Sequence, residues 1–96
     1  MTEQQLLAAV TEMAGYLGIF CYHTHDSRRS DPGFPDLVLA GTRGVIFAEL
    51  KTETGRVSHF QAQWRWRLLA AGAAWRLWRP ADLQSGEILR ELKGIT

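Results

Sequence analysis

An internal disulfide is excluded at once, because the 96-residue chain holds a single cysteine, Cys21. Such sparse cysteine fits a reducing, cytoplasmic compartment. No apolar run approaches the length of a membrane span, so no membrane partner is expected. The amino terminus, Met1-Thr2-Glu3-Gln4-Gln5, is polar and acidic and lacks the basic-then-apolar order of a signal peptide. Internal repeats and low-complexity segments are missing. So is a charge excess of either sign: the net charge is +1, and the balance alone says little about nucleic acid. A zinc cage also lacks support. His23, His25 and Asp26 lie close together, but there is no cysteine pair or third spaced histidine, and His59 stands on a separate segment.

What is present reads as one domain over residues 1–96, with ordinary shares of hydrophobic (46%) and charged (22%) residues. A chain this short buries proportionally little surface, so dimerisation would help it. The positive charge is nearly all arginine: Arg28, Arg29, Arg43, Arg56, Arg65, Arg67, Arg76, Arg79 and Arg90. The planar guanidinium suits bidentate phosphate contacts. The plainer reading is a solvated face.

The chain divides readily into elements. Thr2 with Gln5 forms a capping box that opens a helix, and Leu6, Leu7, Val10, Met13, Ala14 and Leu17 make its apolar face before Gly18 ends it. Glu3 lies at the N-terminal end of that stripe, and Glu12 faces solvent. Residues 19–24 read as a strand. A polar loop follows, in which Arg28 and Arg29 beside Thr24, Ser27 and Ser30 could grip phosphates. Ser58 and Gln61 form a second capping box, and Phe60, Trp64, Leu68 and Ala71 form the inner face of the helix they open, which stops at Gly72. Trp64 and Trp66 read as packing anchors rather than base-stacking platforms. Residues 74–79 alternate as a strand closed by Pro80, and a last helix has Ser85 as its cap and Ile88, Leu89 and Leu92 as its apolar side. The order predicts a mixed sheet with helices on its faces. It is antiparallel at a hairpin and parallel across the right-handed crossover through the second helix.

That hairpin, from Asp36 to Lys51, carries charges where strands are otherwise apolar. A turn centred between Thr42 and Arg43 sets Asp36 opposite Glu49, with Cβ atoms about 4.5–5.5 Å apart. Facing carboxylates destabilise a sheet unless a cation lies between them. Lys51 falls on the same face as Glu49 by the strand period. Asp36, Glu49 and the backbone carbonyl of Leu50 are therefore candidate ligands for Mg²⁺, with Mn²⁺ able to substitute. Such an ion would polarise a phosphoryl oxygen and activate water. Lys51 could orient that water or stabilise the pentavalent phosphate, or serve simply as a counter-charge. Gln61 could bond water, phosphate or Lys51, although its capping role alone would explain it.

These residues resemble a known pattern. Pro35-Asp36 with Glu49-Leu50-Lys51 is similar to the signature of the PD-(D/E)XK nuclease superfamily. Gly33-Phe34-Pro35-Asp36-Leu37, then Gly55-Arg56-Val57-Ser58 with Gln61, and Gly72 closing the helix, resemble its VRR-NUC family. The resemblance runs from about Glu3 to Arg79. It implies an α/β fold with an αβββαβ restriction-endonuclease-like core, to which this chain adds a C-terminal helix. It also implies a Mg²⁺-dependent DNA endonuclease, selective for branched DNA such as four-way junctions, acting as a homodimer in the cytoplasm of a bacterial or phage-infected cell. Asp36 and Glu49 would be metal ligands, Lys51 catalytic and Gln61 a supporting residue. Glu3 would be the first-helix acid and a further metal ligand, with Glu12 as the fallback. Arg28, Arg29, Arg56 and His59 are the candidate nucleic-acid contacts. His59 departs from the family, which has proline there, and that proline merely presets the first helical turn. Two other readings stand beside this one: a catalytically silent DNA-binding module on the same fold, and a nonspecific DNA or RNA nuclease, since no motif separates DNA from RNA.

Overall fold

Helix α1 (Glu3–Tyr16) begins where expected. In the computed structural model, Thr2 Oγ1 accepts the Gln5 N–H at 3.1 Å and Gln5 Oε1 accepts the Thr2 N–H at 2.9 Å. The structure describes residues 1–24 and 31–96. After α1 come β1 (Phe20–His23), β2 (Leu37–Ala40), β3 (Val45–Leu50), α2 (His59–Ala70), β4 (Ala74–Trp78), α3 (Pro80–Gln84) and α4 (Glu87–Lys93). The four strands form one sheet in the order β1-β2-β3-β4. The first two pairings are antiparallel, and β3 with β4 is parallel, as the crossover through α2 requires.

The register sorts the side chains. Leu37 pairs with Ala48 and Leu39 with Ile46, while Ile46, Ala48 and Leu50 pair with Ala74, Arg76 and Trp78. On this face Leu37, Leu39, Ile46, Ala48, Leu50 and Trp78 are buried against Leu6, Val10 and Ala14 of α1 and Ile88 and Leu92 of α4. Burying each large aliphatic side chain contributes about 1.5–3 kcal/mol, so this layer is what anchors the sheet. The opposite face carries Phe47, Trp75 and Leu77. There the Phe34 ring meets Phe47 and Trp64 edge-on, with centroids 6.2 and 5.0 Å away. The Arg65 guanidinium lies 5.7 Å from the Trp75 ring centroid.

The Gly41–Gly44 turn is closed from outside the hairpin. The Arg43 N–H donates to the Ile95 carbonyl at 2.9 Å. A side chain at Gly41 would put its Cβ 1.9 Å from that same oxygen, so the C-terminal residues can seat here only over glycine.

Three expectations need correction. None of the twelve residues of α2 is buried, and Phe60, assigned to its inner face, is exposed; Trp64 and Leu68 are half-buried, while Ala71 is exposed. The helix packs chiefly on β4, so spacing defined its apolar stripe without supplying a cover. Trp66, expected as a packing anchor, is 67% exposed. The last helix is two helices, broken at Gly86, whose φ of 84° is left-handed. Gly86 is the N-cap of α4, while the expected cap, Ser85, ends α3 and accepts the Glu87 N–H from there. Ile88 and Leu92 are buried as expected, but Leu89 is exposed. Among the described residues no helix is long and apolar enough to cross a membrane.

Candidate active site

The β2–β3 register, continued one residue, sets Asp36 opposite Glu49, although β2 begins at Leu37 and Asp36 lies in the bend before it. Glu49 is held in β3 between Ala48 and Leu50 and is 1% exposed, the one charged side chain buried among the described residues. Its Oε2 has no hydrogen-bond partner; the only other such buried atom among them is Trp78 Nε1. An uncompensated buried carboxylate is costly, and the group responds by holding its proton. Burial is the main cause. The Asp36 carboxyl adds to it by a side-chain hydrogen bond and by charge, and the pKa is pushed from 4.5 up to about 9. Lys51 opposes the shift, and Glu3 adds a small push in the same direction as Asp36. The site is thus a carboxyl pair coupled at short range, with a lysine and a third acid within electrostatic reach.

Asp36 is fixed from three sides. The Thr24 N–H donates to the Asp36 carbonyl at 3.0 Å, and the Thr24 hydroxyl to the Pro35 carbonyl at 3.2 Å. The Leu50 N–H donates to Asp36 Oδ2 at 2.8 Å, which ties the carboxylate to the end of β3. Upstream, Gly33 has φ 85°, and a Cβ there would fall 2.3–2.6 Å from backbone atoms of Phe60 and Gln61. The loop that delivers Asp36 therefore docks backbone-to-backbone on the first turn of α2, an approach only glycine permits. A cavity of about 230 Å³ opens beside the carboxylate, lined by Glu3, Gln4, Leu7, His23, Asp36 and Leu50. Glu3 is thereby brought to the site by the first turn of α1, whereas Glu12 is exposed further along the helix.

Lys51 follows β3 directly, its N–H donating to the Trp78 carbonyl at 3.1 Å. The loop after it is clasped by Arg79, a role that no sequence pattern marks. Arg79 Nη1 donates to the Thr52 carbonyl at 2.6 Å and to the Gly55 carbonyl at 2.8 Å. Glu53 Oε1 in turn accepts the Ala81 N–H at the start of α3. Gly55 lies against the Lys51 stem, since a Cβ there would sit 3.4 Å from Lys51 Cδ. Arg79 thus stiffens the wall on which the lysine rests.

The remaining candidates divide. Gln61 is committed through Oε1 to the Ser58 N–H at 2.8 Å, so its NH₂ is the end left to face other groups. His59 Nε2 lies 3.2 Å from Gln63 Nε2 and is exposed on α2, as Arg56 is on the loop before it. Arg28 and Arg29, with His25 and Asp26, lie outside the described residues. Arg76 pairs with Glu91 at 2.9 Å and Arg90 with Glu87, so these two arginines serve the fold.

The donors present fit a hard divalent cation. Two carboxylates converge, and one oxygen of the more buried one is unmatched. No three or more His, Cys, Asp or Glu side chains among the described residues form a cage. Any cation here would lean on two carboxylates, main-chain oxygen, water and phosphate, the sparse set magnesium accepts.

No protein-family model matches the chain, and no curated protein does. A solved structure named as a VRR_NUC domain protein is similar to it at 14% identity with a TM-score of 0.73, covering 100% of this chain and 91% of that one. At that identity the likeness shows the fold, an α/β arrangement with a four-stranded mixed sheet flanked by helices.

Proposed function

We propose that this chain is a metal-dependent DNA endonuclease of the VRR-NUC type within the PD-(D/E)XK superfamily, a single nuclease domain over residues 1–96 that hydrolyses phosphodiester bonds. One observation carries the reading. A glutamate is buried in a strand with an unmatched oxygen, beside a second carboxylate and within electrostatic reach of a lysine. A purely structural sheet has no use for that combination, and burial without a partner costs stability. The shared fold with a VRR_NUC domain protein supports it.

Asp36, Glu49 and the Leu50 carbonyl would hold Mg²⁺, or Mn²⁺ in its place, and Glu3, which lines the same cavity as Asp36, would add a further oxygen. When bound, the ion supplies charge neutralisation at the phosphoryl group and an activated water. Asp36 is oriented by the Leu50 N–H. Glu49 must release its proton to become a ligand. Lys51 orients the attacking water or meets the charge growing on the phosphorus oxygens, its loop kept in place by Arg79. The Gln61 NH₂ supports water or phosphate from the α2 cap. Arg28, Arg29, Arg56 and His59 contact the DNA backbone.

We further propose preference for branched DNA and action as a homodimer in a bacterial or phage-infected cytoplasm. Two symmetric cuts suit a twofold pair. Phe20 and Tyr22 of β1, an edge strand, are 82% and 62% exposed on the α2 side of the sheet, a surface a second copy could cover. Cleavage of labelled four-way junction, flap, duplex and single-stranded DNA in Mg²⁺, Mn²⁺ or EDTA tests the proposal. Metal-dependent cutting lost in Asp36→Ala and Lys51→Ala supports it. Binding without cutting in either metal would leave a silent module. A monomer by light scattering at micromolar concentration would count against the dimer.

A further inference from the structure

Helix α2 combines three properties, of which the nuclease reading uses only the charge of His59. None of its residues is buried, it carries His59, Arg65 and Arg67 with no acidic residue, and Trp66 stands 67% exposed. Arg65 is engaged over Trp75 of the sheet, but Arg67 is turned to the exposed indole, its Cζ 5.9 Å from the Trp66 centroid. Beside them is an open cleft of about 670 Å³ lined by His59, Ala62, Gln63, Trp64, Trp66 and Arg67. At one end His59 Nε2 lies 3.2 Å from Gln63 Nε2, and His59 opens the same first turn on whose backbone the Asp36 loop docks.

We propose that this flank of α2 binds single-stranded nucleic acid, an unpaired base stacking on Trp66 while Arg67 and His59 meet the adjoining phosphates. Charge selects the occupant. A second copy placed here by a twofold axis would bring the same cationic side chains together, with no acid on the helix to answer them. A nucleic-acid strand supplies negative charge and a flat π-face at once, and every base has that face, so stacking needs no particular sequence. In a duplex the base faces are covered, so the platform distinguishes unpaired from paired strands. The idea rests on the nuclease reading only for the class of ligand, and among branched substrates it would grip those with an unpaired strand, such as a flap.

Fluorescence anisotropy with a short fluorescein-labelled oligo(dT), and with a duplex of equal length, tests the proposal in EDTA, where nothing is cut. Trp66→Ala should weaken oligo(dT) binding about tenfold and duplex binding by no more than about twofold, with Trp66→Phe retaining most of the affinity. Because Trp66 is exposed, circular dichroism should show both variants folded. Three results would overturn the proposal: oligo(dT) affinity unchanged in Trp66→Ala, equal losses on both probes, or dissociation of a dimer with oligo(dT) affinity unaltered. The last would make the face a contact between copies. A protein that shows the expected binding pattern but never cuts would remove the nuclease reading and leave this platform standing.

Discussion

The two ends of the β2–β3 hairpin are built on opposite principles. At the turn, the Gly41 N–H donates to the Gly44 carbonyl at 2.9 Å, the Arg43 N–H reaches Ile95, and the C-terminal backbone lies where any side chain at Gly41 would be. Donors are met and space is filled. At the other end a carboxyl is buried with an oxygen unmatched, a second carboxyl is placed beside it, and a cavity of about 230 Å³ is left open. One end lowers the free energy of the fold, and the other raises it. Unfavourable burial persists where the surrounding structure over-determines it, and here the over-determination is visible: Thr24 and Leu50 pin Asp36, Gly33 docks its loop, and Arg79 clasps the segment after Lys51.

The largest expected effect lies at the acid end. Asp36→Ala or Lys51→Ala should reduce metal-dependent cleavage by about 100-fold or more while far-UV circular dichroism is unchanged. Next comes the pH dependence of the metal-free protein. Glu49 has its pKa raised by folding, from 4.5 to about 9, so it keeps its proton after the unfolded chain has lost it. Between those values the unfolded state binds fewer protons. Stability in EDTA should therefore fall as pH rises through that window, by something on the order of a few kcal/mol, and level off above it. Urea titrations at several pH values should show the decline in wild type and a nearly flat profile in Glu49→Gln.

At the turn end, Gly41→Ala should cost about 1–3 kcal/mol, because the Ile95 backbone must move. It should leave both the pH slope and the response to Mg²⁺ as they are, which a thermal melt in EDTA and in Mg²⁺ would show. If the Gly41 substitution altered the metal response, the two ends would not be separable. The smallest effect is expected from the clasp. Arg79→Ala should slow cleavage about tenfold by loosening the loop beside Lys51. Arg79→Lys should recover part of the rate, since one ammonium can reach carbonyls but lacks the fork.

Much of the hairpin and both long helices are legible in the residues alone. Capping boxes are local, so Thr2–Gln5 and Ser58–Gln61 announce the helices, and two acids facing across a short turn set the hairpin register. Helix faces are less legible. Periodicity finds an apolar stripe but not the element that covers it, so Phe60 and Leu89 have the spacing of inner residues and yet stand exposed, as does Trp66, read as an anchor from its size and aromatic character alone. The break between α3 and α4 does have a signal in Ser85-Gly86, but the same pair suits the start of one helix as well as the junction of two. The Arg79 clasp has none. Its acceptors are main-chain carbonyls 24 and 27 residues earlier, and carbonyls leave no mark in a sequence. Gly33 is legible as turn punctuation, but its close approach to α2 depends on where the helix lies.

Glu49 is the centre of the proposed chemistry, a buried acid that would give up its proton to a cation. Carbon-13 NMR of its side-chain carboxyl, titrated in EDTA and again in Mg²⁺, measures this directly. The expected result is a midpoint near 9 without metal, moving well down into the acidic range when Mg²⁺ is present. A midpoint near the ordinary value of 4.5 in EDTA, or one that Mg²⁺ does not move, would contradict it.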